Sequence, residues 1–537
     1  MGKSSSVLTN TFFWLFVVAN FVSAVGTYMF TTGVSWIMTE ELDASPILVA
    51  LVQTANFLPM VLLVLVAGAV GELFDQQKTL IATQVFLVIS VLAFAYLAYQ
   101  ESFSPIIVLV FTFINGIAAA FARPILAALV PQIVEGREQL RQAIDINAVF
   151  FNTSRALGPI LGGWLITAYT VDLPFWINAA TFLTVIGVML FWKDKRHEDR
   201  KIPREPLRFA MGDTVRFARH TPALYDSIFR AIIFFVSAGA LYTLLPLLAK
   251  DKLDGDATTY GIMLGGTGVG ALVMVFFTDR LTNWLGANRL TVYASLGLAV
   301  ALAGLGVVPD EYWGVGLTFL AGVCWQLAYT AIMTSAQTSL PDWYQSRGMS
   351  LFMMTMSVGL GVGSILWGII AEVGSISLSF FVAAGLAAGG AFLGRRFELD
   401  QSEGVDLDAA GDVPKPPDYL KIDDEEPDGQ RPVLVEVHYH LGEADAGEAI
   451  EKINALEGPR YRNGAREWHL VRDPEDDRHL IENFYGLSVA QYLRQQQRII
   501  GEDFDDEREL REWLEKQGGE VERKVFLRAE EAGVTMD

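Results

Sequence analysis

The sequence predicts an all-α membrane protein, with twelve transmembrane helices in two pseudo-symmetric six-helix bundles, followed by a small α+β ferredoxin-like soluble domain. Three observations predict it. A dozen long apolar stretches lie between Ser4 and Gly394, the basic residues outside them fall almost wholly in alternate connections, and the composition turns strongly acidic after Glu398. A chain of 537 residues that is 52% hydrophobic has more apolar surface than a soluble fold can hide, and several stretches exceed the roughly 20 residues that cross a bilayer's hydrocarbon core.

Taken in order, the spans fall at about 11–38, 47–71, 79–99, 105–127, 143–170, 173–192, 227–249, 257–278, 289–309, 313–338, 348–371 and 376–394. The first is too long for a signal-peptide core and reads as a retained helix. Odd connections such as Glu40 to Pro46, Glu101 to Ser104 and Pro309 to Glu311 hold acids and no base, with Lys250 and Lys252 as the exceptions. Even connections hold Lys78, Arg137, Arg141, Arg280, Arg289, Arg347 and nine bases between Lys193 and Arg219. That bias places the even connections and both termini in the cytoplasm, with the chain multi-pass in the plasma membrane.

The predicted domains are an N-terminal bundle (1–192), a cytoplasmic inter-bundle loop (193–226), a C-terminal bundle (227–397), an acidic linker (398–430) and a cytoplasmic ferredoxin-like domain (431–537). From Glu398 onward there are 37 acids and 17 bases, so the tail carries −20 of the formal −21. Such a tail excludes nucleic acid as a partner, since phosphate binding needs clustered Lys and Arg. The single Cys324 lies inside a span, so there is no disulfide framework.

The halves repeat each other at an offset of roughly 205 to 210 residues, the weak internal symmetry of transporters. Leu129–Pro131 precedes GPILGG at Gly158–Gly163, and Ser339–Pro341 precedes GSILWG at Gly363–Gly368. The turn after span 2, Gly68–Lys78, corresponds to the turn after span 8, Asp279–Arg289.

These residues resemble the major facilitator superfamily and, within it, the enterobactin-exporter-like branch of transmembrane secretion effectors. The resemblance covers essentially the whole chain and rests most on Phe121, Pro124, Ala128–Val134, Asn147, Phe151, Asn152, Arg155, Gly158 and Pro159. It implies the major facilitator fold and a secondary active transporter that exports a small molecule, a siderophore, drug or other amphipathic metabolite, by alternating access. The alternatives are a transporter fused to a catalytic domain, or a lipid flippase.

Gly158, Pro159, Gly162 and Gly163 look like the antiporter motif of the fifth span. Small residues four apart let backbones approach and a proline permits a bend, so the run is either a hinge and seal or ordinary tight packing. Gly68–Lys78 resembles the superfamily's gating turn, with Glu72 in the aspartate place, Asp75 and Lys78 retained, and Leu73, Gln76 and Gln77 where basic residues are expected. Asp279 and Arg280 keep opposite charges in the second half, as a latch or as solvated loop charges.

Arg155 sits near half depth in the fifth span, where an ion costs several kcal/mol unless it meets water, protein or a counter-charge. Asn152, three residues earlier, shares its face, and the pair is the predicted centre of the substrate or coupling site. Arg123 and Arg230, nearer helix ends, can snorkel. Asn20, Gln53, Asn56, Asn115, Asn147, Gln326 and Tyr329 are the further candidates, on spans that line the central cavity in the fold this resembles or, for Asn147, at the start of the fifth span. Protons are the expected coupling ion, yet no Asp or Glu lies in the middle of any span, and Thr27 stands where relatives often carry an acid.

After the linker, strands are predicted at Val433–Tyr439, Arg466–Val471, His479–Tyr485 and Val521–Leu527, and helices at Ala444–Leu456, Ser488–Ile499 and Asp506–Gln517. The order suggests a ferredoxin-like layer. Through Gly464–Trp468 and Tyr492–Arg498 it resembles the antibiotic-biosynthesis-monooxygenase-like domain, which implies homodimerisation or gating rather than catalysis. His438 and His440 share a strand face, but no third ligand is set by spacing, so no metal and no cofactor is expected.

Overall fold

The computed structural model describes residues 7–73, 75–134, 136–192, 212, 215–341, 344–394, 396–399, 432–486, 488–489, 492–493 and 499–527. The acidic linker, most of the inter-bundle loop and most of the helix expected over Ser488–Ile499 lie outside them. The chain forms two compact units. One holds Met1–Arg204, Ser227–Thr334 and Ser350–Asp400, and the other holds Glu205–Asp226, Ser335–Met349 and Gln401–Asp537.

The first unit is helical. Its helices are α1 (Thr11–Trp36), α2 (Pro46–Leu73), α3 (Gln76–Tyr99), α4 (Pro105–Ile133), α5 (Gly136–Ala168), α6 (Leu173–Leu190), α7 (Pro222–Leu247), α8 (Ala257–Val275), α9 (Thr278–Leu285), α10 (Ala287–Gly306), α11 (Glu311–Thr338), α12 (Gln345–Val373) and α13 (Ile376–Leu393), with the ends of α7, α11 and α12 reaching into the second unit. Among the described residues eleven helices are long and apolar enough to cross a membrane. The predicted span that falls short is α5, 33 residues long, because Asn147, Asn152 and Arg155 interrupt its apolar run. The short α9, not expected from the sequence, leads into α10.

Side chains start these helices where the sequence places capping residues. Asn10, Asp75, Ser104, Asp256 and Ser375 each accept a hydrogen bond from the backbone N–H three residues on, satisfying one of the orphan donors of a helix start. The repeat is visible in the backbone. α1 and α7 both run on into a five-residue π turn, Ile37–Glu41 and Leu248–Lys252. Each turn leads to an aspartate with positive φ, Asp43 at 42° and Asp254 at 47°, and then to the next helix. Aspartate tolerates this left-handed region better than most residues, so both corners at an offset of about 210 residues use one device.

One expectation is corrected. Arg230 does not snorkel; it is buried, bonded to the Asn288 side chain and at 3.3 Å to the Phe397 carbonyl, so it ties α7 to α10 and to the segment after α13.

In the second unit a four-stranded antiparallel sheet runs in the order β2-β3-β1-β4, with β1 Val433–His440, β2 Arg466–Arg472, β3 His479–Gly486 and β4 Glu520–Leu527. α14 (Ala446–Ala455), α15 (Glu457–Arg462) and α16 (Gly501–Lys516) pack with it, the ferredoxin-like arrangement expected. Val433, Val435, Val437 and Tyr439 alternate inward with Ala449, Ile453, Leu510 and Leu514 to form its core. Phe217 stacks on Tyr344 at 4.1 Å and His220 on Tyr461 at 4.9 Å within this same unit.

A charged network unseen in the sequence sits inside that core. Glu482 on β3 is 0% exposed and accepts from Arg460 Nε at 2.9 Å, Trp468 Nε1 at 2.8 Å and Tyr439 OH at 2.8 Å. Arg460 also donates to Glu507 at 2.7 Å. Burial alone raises the Glu507 carboxyl pKa, but Arg460 and Arg523 outweigh it and hold it at about 2. A carboxylate so depressed stabilises the fold fully above its unfolded pKa and ceases to do so as pH falls through the folded value. The domain is therefore expected to lose about 3 kcal/mol from this group between about pH 5 and pH 2. Hydrogen exchange in peptides covering β1 and β3, corrected for intrinsic rate, checks it; unchanged protection down to pH 3 would contradict the assignment.

The opposite sheet face carries His438, His440 and His479. His438 Nδ1 lies 3.0 Å from His479 Nε2, and His479 Nδ1 lies 3.0 Å from Asp473. Among the described residues no three His, Cys, Asp or Glu side chains converge as a metal-ligand set.

Candidate functional site

Arg155 projects from α5 toward the other half of the bundle. It is 6% exposed, its guanidinium donates to Tyr242 OH of α7 at 2.5 Å, and it lies 4.7 Å over the Trp325 ring of α11. The face of an aromatic ring attracts a cation, and does so more when water is excluded. Among the described residues no carboxylate lies within ion-pair distance of Arg155. Tyr28 of α1 and Tyr329 of α11 are half-buried, within electrostatic reach of Arg155 and of Arg123, which is exposed on α4.

The predicted amides do not gather on Arg155. Asn20, Asn115 and Asn152 each donate to the carbonyl four residues back in their own helix, at 2.8, 2.8 and 3.0 Å. Gln53 reaches Ser35 at 3.4 Å and Gln326 reaches Thr330 at 3.0 Å. Asn147 Nδ2 is buried without a hydrogen-bond partner, and Asn56 is half-buried on α2. Tyr329 packs edge-on to Phe235 and beside Phe352. Sequence reasoning missed Tyr242 and Trp325. Their signal was present, since Trp325 lies mid-span, away from the interfacial belts where membrane Trp and Tyr concentrate.

The two glycine runs occupy equivalent places. A Cβ on Gly158 would stand 2.4 Å from Tyr28 Cβ, and one on Gly163 would stand 2.1 Å from the Ala257 carbonyl oxygen. α5 thus seats on α1 through one glycine and crosses to α8 of the other half through the next. In α12, a Cβ on Gly363 would stand 2.5 Å from the Val236 carbonyl oxygen of α7, and one on Gly368 would stand 2.4 Å from Ala50 Cβ of α2. Thr54 adds a hydrogen bond from α2 to the Gly361 carbonyl at 3.2 Å. Small residues are what allow backbones this close.

The same end of the bundle is fastened by charge. Lys250 donates to Asp43 at 2.6 Å and to the Thr39 carbonyl at 2.8 Å, with Glu40 at 3.6 Å, and Ile47 N donates to Glu372 at 3.0 Å. Lys252 donates to the Gly306 carbonyl at 2.6 Å, capping the negative end of α10. Both exceptions to the charge pattern are therefore held by partners. The predicted gate at the other end looks different. Asp75 caps α3 and pairs only locally with Lys78 at 3.8 Å, Asp279 and Arg280 are exposed without an ion pair among the described residues, and the Glu72 side chain lies outside those residues.

A twelve-helix bundle with halves that mirror each other matches one family along nearly its entire length: the family model of transmembrane secretion effectors covers residues 3–531. The chain belongs to that family of major facilitator transporters. Similar proteins include the staphyloferrin A transporter of Staphylococcus aureus (strain NCTC 8325 / PS 47), 23% identical over 68% of this chain and 91% of that protein. The enterobactin exporter EntS of Shigella boydii serotype 4 (strain Sb227) is 24% identical over 68% of this chain and 88% of its own. Among solved structures, the nucleoside transporter NupG aligns with a TM-score of 0.58 at 12% identity, over 72% of this chain and 99% of that one. A POT family transporter in complex with 5-aminolevulinic acid aligns at 0.60 and 9%, over 72% and 95%. These last two share the fold.

For this secretion-effector transporter the crossing of α5 and α8 gives a direct test. Gly163→Val adds atoms where a single carbon already meets backbone, so the halves are expected to be held apart at this end. Transport should fall at least about tenfold while the membrane level of the protein stays normal, because lipid-embedded helices fold without this contact. Full transport by the variant would remove the crossing from the cycle.

Proposed function

We propose that this transporter exports a small anionic, amphipathic molecule from the cytoplasm across the plasma membrane by alternating access, with Arg155 as its principal contact. The observation that carries the reading is a buried guanidinium that faces aromatic rings and a hydroxyl and, among the described residues, no carboxylate. A desolvated ion of this kind is costly until a counter-charge reaches it, and an anionic cargo supplies one. Aromatic surfaces of Tyr242 and Trp325 would take the apolar part of the same molecule. The two named relatives are a staphyloferrin A transporter and an enterobactin exporter, which fits a cargo of this class.

Direction follows from two further points. The basic connections favour the cytoplasm for one face. The opposite face is the one fastened by Lys250 and the crossing glycines, which supports a conformation that loads from the cell. The test is accumulation of an aromatic anion, 2-naphthalenesulfonate, in everted membrane vesicles. Uptake above that of vesicles lacking the protein supports export; equal uptake, with the protein folded and present, defeats it.

A further inference from the structure

We propose that the membrane potential itself drives export through the Arg155 site, the cargo being the charge that moves. The inference rests on the reading of Arg155 as an anion contact and goes beyond it. Its ground is the kind of ionisable group the centre of the bundle holds. Arg155 on α5 is a guanidinium, which keeps its proton at any physiological pH, and so does Arg123, exposed on α4. Tyr242 from α7 and Trp325 from α11 touch Arg155, and Tyr28 from α1 and Tyr329 from α11 lie within electrostatic reach of both arginines. Tyrosine ordinarily titrates near pH 10, and tryptophan does not titrate. All six histidines, His197, His220, His438, His440, His469 and His479, fall outside the spans, and no Asp or Glu occupies the middle of one. Of the span side chains outside the description, from residue 64 to 74, Glu72 at the basic end is the sole acid.

A site of this composition binds charge without exchanging protons. When the anion sits on Arg155 that pair is neutral and turns outward with no net charge of its own to carry through the field, while the charge of Arg123 is the same in the loaded and the empty states and cancels over the cycle. After release, the empty site is positive. An interior-negative potential pulls that positive site back to the inward-facing state, where Tyr242 and Trp325 hold the guanidinium until the next anion arrives. One cycle moves one negative charge out, and no proton has to return. The field contributes about 2.3 kcal/mol per charge per 100 mV, or about a 50-fold outward gradient of a monovalent cargo. The arrangement therefore suits an exporter of anions, for which the resting potential already points the right way.

The experiment uses the full chain. First, equilibrium dialysis compares 2-naphthalenesulfonate, ionised at every pH used, with the neutral 2-naphthalenesulfonamide. Then proteoliposomes loaded with the sulfonate are given an interior-negative potassium diffusion potential with valinomycin at equal pH, or a pH step of two units with the potential clamped at zero. We expect the sulfonate to bind at least about tenfold tighter than the sulfonamide, efflux to rise at least about tenfold with the potential, and the pH step to change it less than about twofold. Arg155→Gln should abolish both the binding preference and the potential-driven efflux. Equal binding of the two compounds overturns the anion site and the inference with it. Preferential binding with efflux that follows the pH step, or with no efflux under either gradient, leaves the anion site standing and overturns the inference alone.

Discussion

Arg155→Gln is expected to weaken anion binding by about 30- to 1000-fold and to lower transport to match, with the protein still inserted and folded. Removing one member of a desolvated charged contact typically costs about 2–4 kcal/mol. Folding should survive because, among the described residues, Arg155 has no carboxylate to strand: its loss leaves behind the Tyr242 hydroxyl and an aromatic face. Arg155→Lys gives a graded comparison. It keeps the charge but loses the flat group that stacks over Trp325 and donates to Tyr242, so an intermediate loss is expected. Dialysis and vesicle transport on the three proteins, normalised to the amount in the membrane, read the series. Parental transport by Arg155→Gln would take the guanidinium out of the pathway altogether.

Glu482→Ala is expected to unfold the C-terminal domain or bring it to the edge of unfolding. The substitution leaves Arg460 in the core with Glu507 as its remaining counter-charge, and breaking a buried pair from one side costs about 3–5 kcal/mol, a large part of what holds a domain of this size together. Trp468 and Tyr439 lose their acceptor at the same time. Tyr439→Phe is the milder control: it removes one donor to an oxygen that Arg460 still reaches at 3.3 Å, at a cost of about 1 kcal/mol. Limited trypsin digestion of the full-length protein in detergent, followed at residues 432–527, separates the two variants. Equal resistance of Glu482→Ala and parent would mean that the network contributes little.

How much of this was legible in the sequence depends on the range over which each feature is written. Spans and strands are local, so the apolar runs and the alternation in Val433–Tyr439 announced themselves. The repeat was legible for the same reason, since GPILGG and GSILWG can be laid over each other without knowing where either packs. α5 was legible through its defect: the polar residues that lower its apolarity are the ones that made it stand out. What remained hidden were pairings across long separations. Nothing near Arg155 in sequence names Tyr242 or Trp325, nothing near Glu482 names Arg460, and Lys250 read as a breach of the charge pattern until Asp43 and Glu40 were seen beside it. The amides were legible as polar groups at depth, but three of them turn back to their own helices, which composition cannot reveal.

The Lys250 corner has one more implication. Lys250 and Thr39 hold the same place in the π turns that end α7 and α1, yet one donates to the other's carbonyl. Where a position meets its own duplicate, the pseudo-dyad must pass between them. An axis has room for a single ammonium, because a lysine in both copies would set like charges against each other. Perfect self-similarity is therefore forbidden at this spot, and the tie between the halves depends on the copies having become unlike.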